Sequence, residues 1–248
     1  MADRFDPRTA ERMRAGSINA QTGVPSAAFD AGLRSYMLSI YNYMTSGILL
    51  TGVVALLFAQ SGMAADIMFG PGLMKYVIIF SPLAIIFAMS LGMNRFSTPA
   101  LQAMFWGFAT LMGLSMSTIF LVYTGESIAL AFFSTAAAFA GLSLFGYTTK
   151  KDLTGWGSFL IMGVVGLIVA SILNIFLKSS VMGLVISYAA VLIFAGLTAY
   201  DTQKLKSMYA HVAGTDMMGK VVIMGALSLY LDFINMFQAL LSIMGSRD

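Results

Sequence analysis

The sequence predicts an all-α integral membrane protein of seven transmembrane helices. Three observations carry that reading. The chain is 58% hydrophobic and only 10% charged, with 20 Met and 19 Phe among 248 residues, a composition foreign to soluble globular domains. Seven apolar segments are each long enough to cross a bilayer, which takes about 20 helical residues. The basic residues alternate between the two sides that seven crossings define.

The elements follow in chain order. Residues 1–34 form a polar arm containing Pro, Gly and Ser, with a short surface helix expected over 9–16. Residues 35–248 form the transmembrane domain. Its spans are expected at about 36–59, 74–93, 100–123, 127–147, 156–177, 181–201 and 219–244. Because 35 polar residues precede it, the first span reads as uncleaved and not as a signal peptide. Gly70-Pro71-Gly72 separates the first span from the second, and Thr98-Pro99 opens the third. Thr124-Gly125-Glu126 divides the third from the fourth, Lys150-Lys151-Asp152 the fourth from the fifth, and Lys178-Ser179-Ser180 the fifth from the sixth.

With a cytoplasmic amino terminus, the inner segments hold Arg4, Arg8, Arg12, Arg14, Arg34, Arg95, Lys150, Lys151, Lys204, Lys206 and Lys220. The outer ones hold Lys75, Lys178 and Arg247. Eleven against three fits the positive-inside rule and leaves the carboxyl terminus outside; six spans would scramble the pattern. Glycines within the spans, such as Gly113, Gly163 and Gly196, read as close helix packing.

Composition also excludes chemistries. With no Cys there is neither a disulfide nor a thiolate site. No mid-helix Lys in the last span serves a retinal Schiff base, and no base accompanies Ser115 for a serine protease. No paired His and acid spacing suggests a catalytic metal, and no glycine-rich phosphate loop occurs. His211, the only histidine, reads as an exposed bystander. The cations border apolar spans and form no nucleic-acid patch. No enzyme is indicated.

The informative residue is Asp232, near the middle of the apolar stretch 221–244. A carboxylate at that depth costs at least ~2.5–3.5 kcal/mol on insertion scales and is kept mostly where it handles ions or protons. Asp201 ends the sixth span. If that helix runs on to about Val212, Gly214 stops it and Thr215-Asp216 caps the next. The midpoint of the two aspartates, 216.5, then falls on the turn, and both lie level about 20 Å from it. Two carboxylates in contact share a proton and titrate as a pair, making a pH sensor or a cation site; the bland alternative is a hydrogen-bonded packing lock. Ser228 and Asn235 share the face of Asp232, with Gly225 and Ala239 a turn further, while Leu229, Phe233 and Phe237 lie elsewhere on the wheel. A pore wall and a packing seam look alike at this level. Tyr200 adjoins Asp201 as a further supporting polar group. Arg95, ending the second span, is a membrane anchor or a latch that pairs with Asp201 while the acid is ionised.

At these residues the chain resembles the transmembrane Bax inhibitor motif family, in particular its bacterial Bax inhibitor-like members. The carriers are Leu229-Tyr-Leu-Asp232-Phe-Ile-Asn235-Met-Phe237 and Ala199-Tyr-Asp201-Thr-Gln-Lys204. Lys150-Lys-Asp-Leu153, Gly157-Ser-Phe-Leu160 and Asn174-Ile-Phe176 add to them. The resemblance implies a seven-helix fold with the last helix central, in the bacterial inner membrane. It implies a pH-sensitive calcium leak with Asp201 and Asp232 as sensor and Arg95 as latch. Ca²⁺ is then the transported ion, held weakly and transiently by the two aspartates, since it ordinarily takes six to eight oxygens; no resident cofactor is implied. Some bacterial relatives instead restrain a membrane-anchored AAA protease, and the arm 1–34 would make that contact. The basic tail of eukaryotic members is missing, so their apoptotic roles do not carry over.

Overall fold

The computed structural model describes residues 26–246, so the arm helix expected at 9–16, four of the arm's arginines and Arg247 lie outside the described residues. Nine helices occur in the described part: α1 Ser26–Gln60, α2 Met63–Phe69, α3 Met74–Gly92, α4 Thr98–Met116, α5 Ile119–Val122, α6 Gly125–Thr148, α7 Thr154–Leu177, α8 Ser180–Val212 and α9 Met217–Met244. Seven segments are long and apolar enough to cross a membrane, α4 and α5 counting as one. All seven expected spans are present.

Three local features differ from the sequence reading. The third span breaks at Ser117, whose hydroxyl and backbone N–H both turn back to Leu114 O. A short helix, α2, fills the first loop after Gly62 reverses the chain at φ 77°. The first helix starts at Ser26, within the segment read as arm. The reason is α8: its 33 residues span about 48 Å, well beyond a hydrocarbon core of about 30 Å. Its projecting end gives α1 a surface, where Phe29 and Tyr36 stack on Tyr209 at ring separations of 5.0 and 5.3 Å.

The last helix is central. In α9, 61% of its most apolar window is buried, against 6–33% in the other six spans. It packs on α1, α4, α6 and α8, while α3 leans on α4 and α7 on α8. Leu229, Phe233 and Phe237, assigned to a separate face, are buried like Gly225 and Ala239, because helices cover α9 on every side. Close approach at the α1–α4 crossing requires Gly113: a Cβ there would lie 2.7 Å from Thr51 O. Large exposed side chains such as Phe159, Met162 and Phe176 form the lipid-facing shell. The antiparallel order gathers Arg34, Arg95, Lys150, Lys151, Lys204, Lys206 and Lys220 at one end, called here the basic end; Lys75 and Lys178 lie at the other.

Candidate functional site: the α8–α9 aspartates

The hairpin that pairs the aspartates is built by one glycine. α8 ends at Val212, Ala213 N donates to Tyr209 O, and Gly214 takes φ 73°, the left-handed geometry that glycine adopts without steric cost. Thr215 departs from its expected capping role and donates its hydroxyl to Val212 O at 2.8 Å. Asp216 occupies the N-cap position of α9 without a side-chain capping bond. The turn centres between Val212 and Met217, about two residues short of the aspartates' midpoint, which staggers them by about 6 Å along the pair, and α8 and α9 form the most extensive helix pair in the fold.

Asp232 is buried, 5% exposed, and among the described residues its Oδ2 has no hydrogen-bond partner. Asp201 is half-buried on the adjoining helix, near enough for the two carboxyls to influence each other. Asp201 lines a cavity of about 150 Å³ together with Lys204, Ser228, Gly225 and Met93, at the basic end. A buried carboxylate oxygen with no donor is costly, since buried polar groups are ordinarily hydrogen-bonded. The arrangement is thus one enclosed acid behind a second that meets a cavity, able to hold protons or, when ionised, to attract a cation. Among the described residues no group of three or more metal-ligating side chains assembles, so no more than two carboxylates meet at this site.

The supporting residues divide. Ser228 lines the same cavity. Asn235 turns its Nδ2 to Leu231 O of its own helix at 2.8 Å. Tyr200 faces α7, where its ring abuts Gly157, with Lys204 Nζ 5.8 Å from its centroid. Arg95 is exposed after the end of α3, and among the described residues no ion pair joins it to Asp201. Lys204, one turn along the same helix, is the cation that lines the cavity beside Asp201. Lys220 of α9 occupies the end of α3 instead, its Nζ donating to Met93 O at 3.2 Å. His211 is exposed, its Nδ1 3.3 Å from Ser207 O.

Several ties went unread in the sequence. Gln203 clamps the α6–α7 loop, donating from Nε2 to Lys151 O and accepting at Oε1 from Leu153 N, both at 2.8 Å. Lys206 Nζ donates to Tyr147 O at the end of α6. Thr202 Oγ1 reaches Ser143 Oγ at 3.4 Å. Their signal was present, since Gln203 and Thr202 lie within the sixth-span motif beside Asp201.

Residues 33–248 match the family model described as inhibitor of apoptosis-promoting Bax1. The chain belongs to the Bax inhibitor-like family. The inner membrane protein YbhL of Escherichia coli is 42% identical over 219 residues, covering 88% of this chain and 94% of its own. Protein RP147 of Rickettsia prowazekii is 46% identical over 220 residues, covering 88% and 92%. A Streptococcus pyogenes membrane protein, SpyM3_0260, is 36% identical over 221 residues, covering 88% and 96%. With seven apolar helices, the family member described here is a multi-pass membrane protein.

Proposed function

We propose that this protein is a pH-sensitive leak for calcium or a similar small cation in the bacterial inner membrane, with the basic end facing the cytoplasm. Asp201 and Asp232 are its sensor. The observation that carries this reading is the unpartnered Oδ2 of buried Asp232 behind an Asp201 that meets a cavity. When protonated, the pair is neutral and the packing of α9 against α8 is sustained. When both protons leave, two negative charges face each other in a low-dielectric interface, where like charge is strongly unfavourable. Water or a cation entering by the cavity relieves that repulsion, and the hairpin loosens. Ca²⁺ fits the oxygen chemistry, with carbonyls and water completing a transient shell. Lys204 takes the part of counter-charge to Asp201 once that acid is ionised, and Arg95, exposed at the same end, engages the ionised acid as the hairpin loosens. The seven cations at the basic end support the proposed orientation.

The test is calcium flux into proteoliposomes as a function of pH, with wild type and Asp232→Asn. Wild-type flux varies with pH, and Asp232→Asn flattens the profile. Calcium entry with unaltered pH dependence in the variant would remove the aspartates from the gate.

A further inference from the structure

We infer that the cleft between α1 and α6 at the basic end binds one anionic phospholipid, its phosphate at Arg34 and an acyl chain along the cleft. Both helices pack on α9 and leave a groove of about 490 Å³ between them. Its walls are apolar, with Met37 and Met44 on one side and Phe139 and Leu144 on the other. Its only charged residue is at the mouth, where Arg34 on α1 meets Tyr147 on α6, while Tyr41 and Ser143 add hydroxyls to an otherwise apolar wall. Arg34 is exposed, and its side chain makes no hydrogen bond or ion pair among the described residues, Asp30 one turn before it included. Lys206 reinforces the mouth from behind, with its Nζ 4.8 Å from the Tyr147 ring centroid. Lys150 and Lys151 follow Tyr147 at the same end, both exposed.

Depth matches as well as charge. From Arg34 to Met44 the groove follows α1 for ten residues, about 15 Å, half of a hydrocarbon core of about 30 Å. A groove one leaflet deep, apolar inside and cationic at headgroup level, has the chemistry of a phospholipid with a negative headgroup. Basic pockets between transmembrane helices bind such headgroups. The same α1–α6 seam supplies an internal contrast. Its other half holds a cavity of about 280 Å³, with Ala55, Ala129 and Phe133 in its wall and no charged side chain. Lipid tails can fill that half, but nothing there selects a headgroup.

The full-length chain, purified in neutral detergent, is examined by native mass spectrometry with phosphatidylglycerol or phosphatidylcholine at equal concentration. One phosphatidylglycerol stays bound per chain, and phosphatidylcholine does not. Arg34→Gln lowers retention about fivefold, the effect of one membrane-surface cation; Arg34→Lys largely keeps it. Ala140→Trp, an exposed position in the groove wall, blocks it, and Ala129→Trp in the other half does not. Equal retention of the two lipids, or unchanged retention in Arg34→Gln, overturns the proposal. So does displacement of the lipid by inorganic phosphate alone, which would indicate a free-anion site. Increased retention after deletion of residues 2–25 assigns the groove to the chain's own arm, and a dimer that Ala140→Trp splits assigns it to a second copy; either result also overturns it.

Discussion

Two buried polar side chains sit two residues apart on the central helix, and they are treated in opposite ways. Tyr230 is fully satisfied: its hydroxyl donates to Thr51 Oγ1 at 2.7 Å, and Thr51 donates onward to Ala109 O at 2.8 Å, so one chain of bonds ties α9, α1 and α4 together. Phe105 and Phe108 pack edge-on around the Tyr230 ring. Asp232 points to another side of the same helix, where Oδ2 meets no donor. A closed hydrogen-bond network holds a structure in one state. An open acid near a second acid is the place where a change of proton or ion changes the structure. The contrast locates rigidity at α1–α4–α9 and responsiveness at α8–α9.

The largest expected effect breaks the responsive side. A single titrating group changes an equilibrium by up to about tenfold per pH unit, and Asp232→Asn should abolish that dependence in the proteoliposome flux. Stability should change little, because the amide replaces an oxygen that had no partner. The rigid side should behave the other way. Thr51→Val leaves the Tyr230 hydroxyl buried without its acceptor and should cost about 1–3 kcal/mol in a denaturant titration. Tyr230→Phe removes the donor but leaves Thr51 bonded to Ala109, so its loss should be the smaller of the two. Neither change should flatten the flux–pH profile. If Thr51→Val flattens it as fully as Asp232→Asn does, the division of labour along α9 is wrong.

The sequence made much of this legible, for reasons that differ by feature. The spans are set by length and hydropathy, which a bilayer imposes on any crossing helix. The α8–α9 pairing was readable because one glycine with positive φ fixes the turn, but counting from the helix ends at Val212 and Met217 staggers the aspartates by about a turn, which the sequence alone left level. Arg95 was not readable in the same way: proximity in topology does not specify side-chain direction, and Lys220 takes the carbonyls at the end of α3. The break at Ser117 depends on a hydroxyl turning back on Leu114 O, which a hydropathy window cannot register. The satisfied state of Tyr230 needs partners from two other helices at one depth, so only the assembled bundle distinguishes it from Asp232.

A smaller effect sharpens the boundary between the two regions. Gln203 lies two residues after Asp201 and fixes the loop between α6 and α7 through Lys151 O and Leu153 N. Gln203→Ala removes two hydrogen bonds to a partly exposed loop, worth about 1 kcal/mol together. If the aspartate helix is the mobile element, loosening its anchor should raise flux at every pH while leaving the shape of the profile intact. A changed shape would mean that Gln203 belongs to the sensor itself.

The smallest effect lies in that same loop and concerns acid stability. Asp152 accepts a hydrogen bond at Oδ1 from Thr154 N at 2.9 Å, at the start of α7. Hydrogen bonding to Thr154 holds this exposed carboxyl below its usual range. A depressed folded-state pKa means that the ionised form stabilises the fold above the unfolded value of about 3.9. The contribution fades as pH falls through the lower folded value, where the carboxyl protonates. Asp152→Asn should therefore melt slightly below wild type at pH 7, and the gap should close below about pH 3.9. Because Asp152 is solvated and Asp232 is enclosed, the closing gap should appear without change in the flux–pH profile, which separates acid stability at the loop from proton sensing in the bundle.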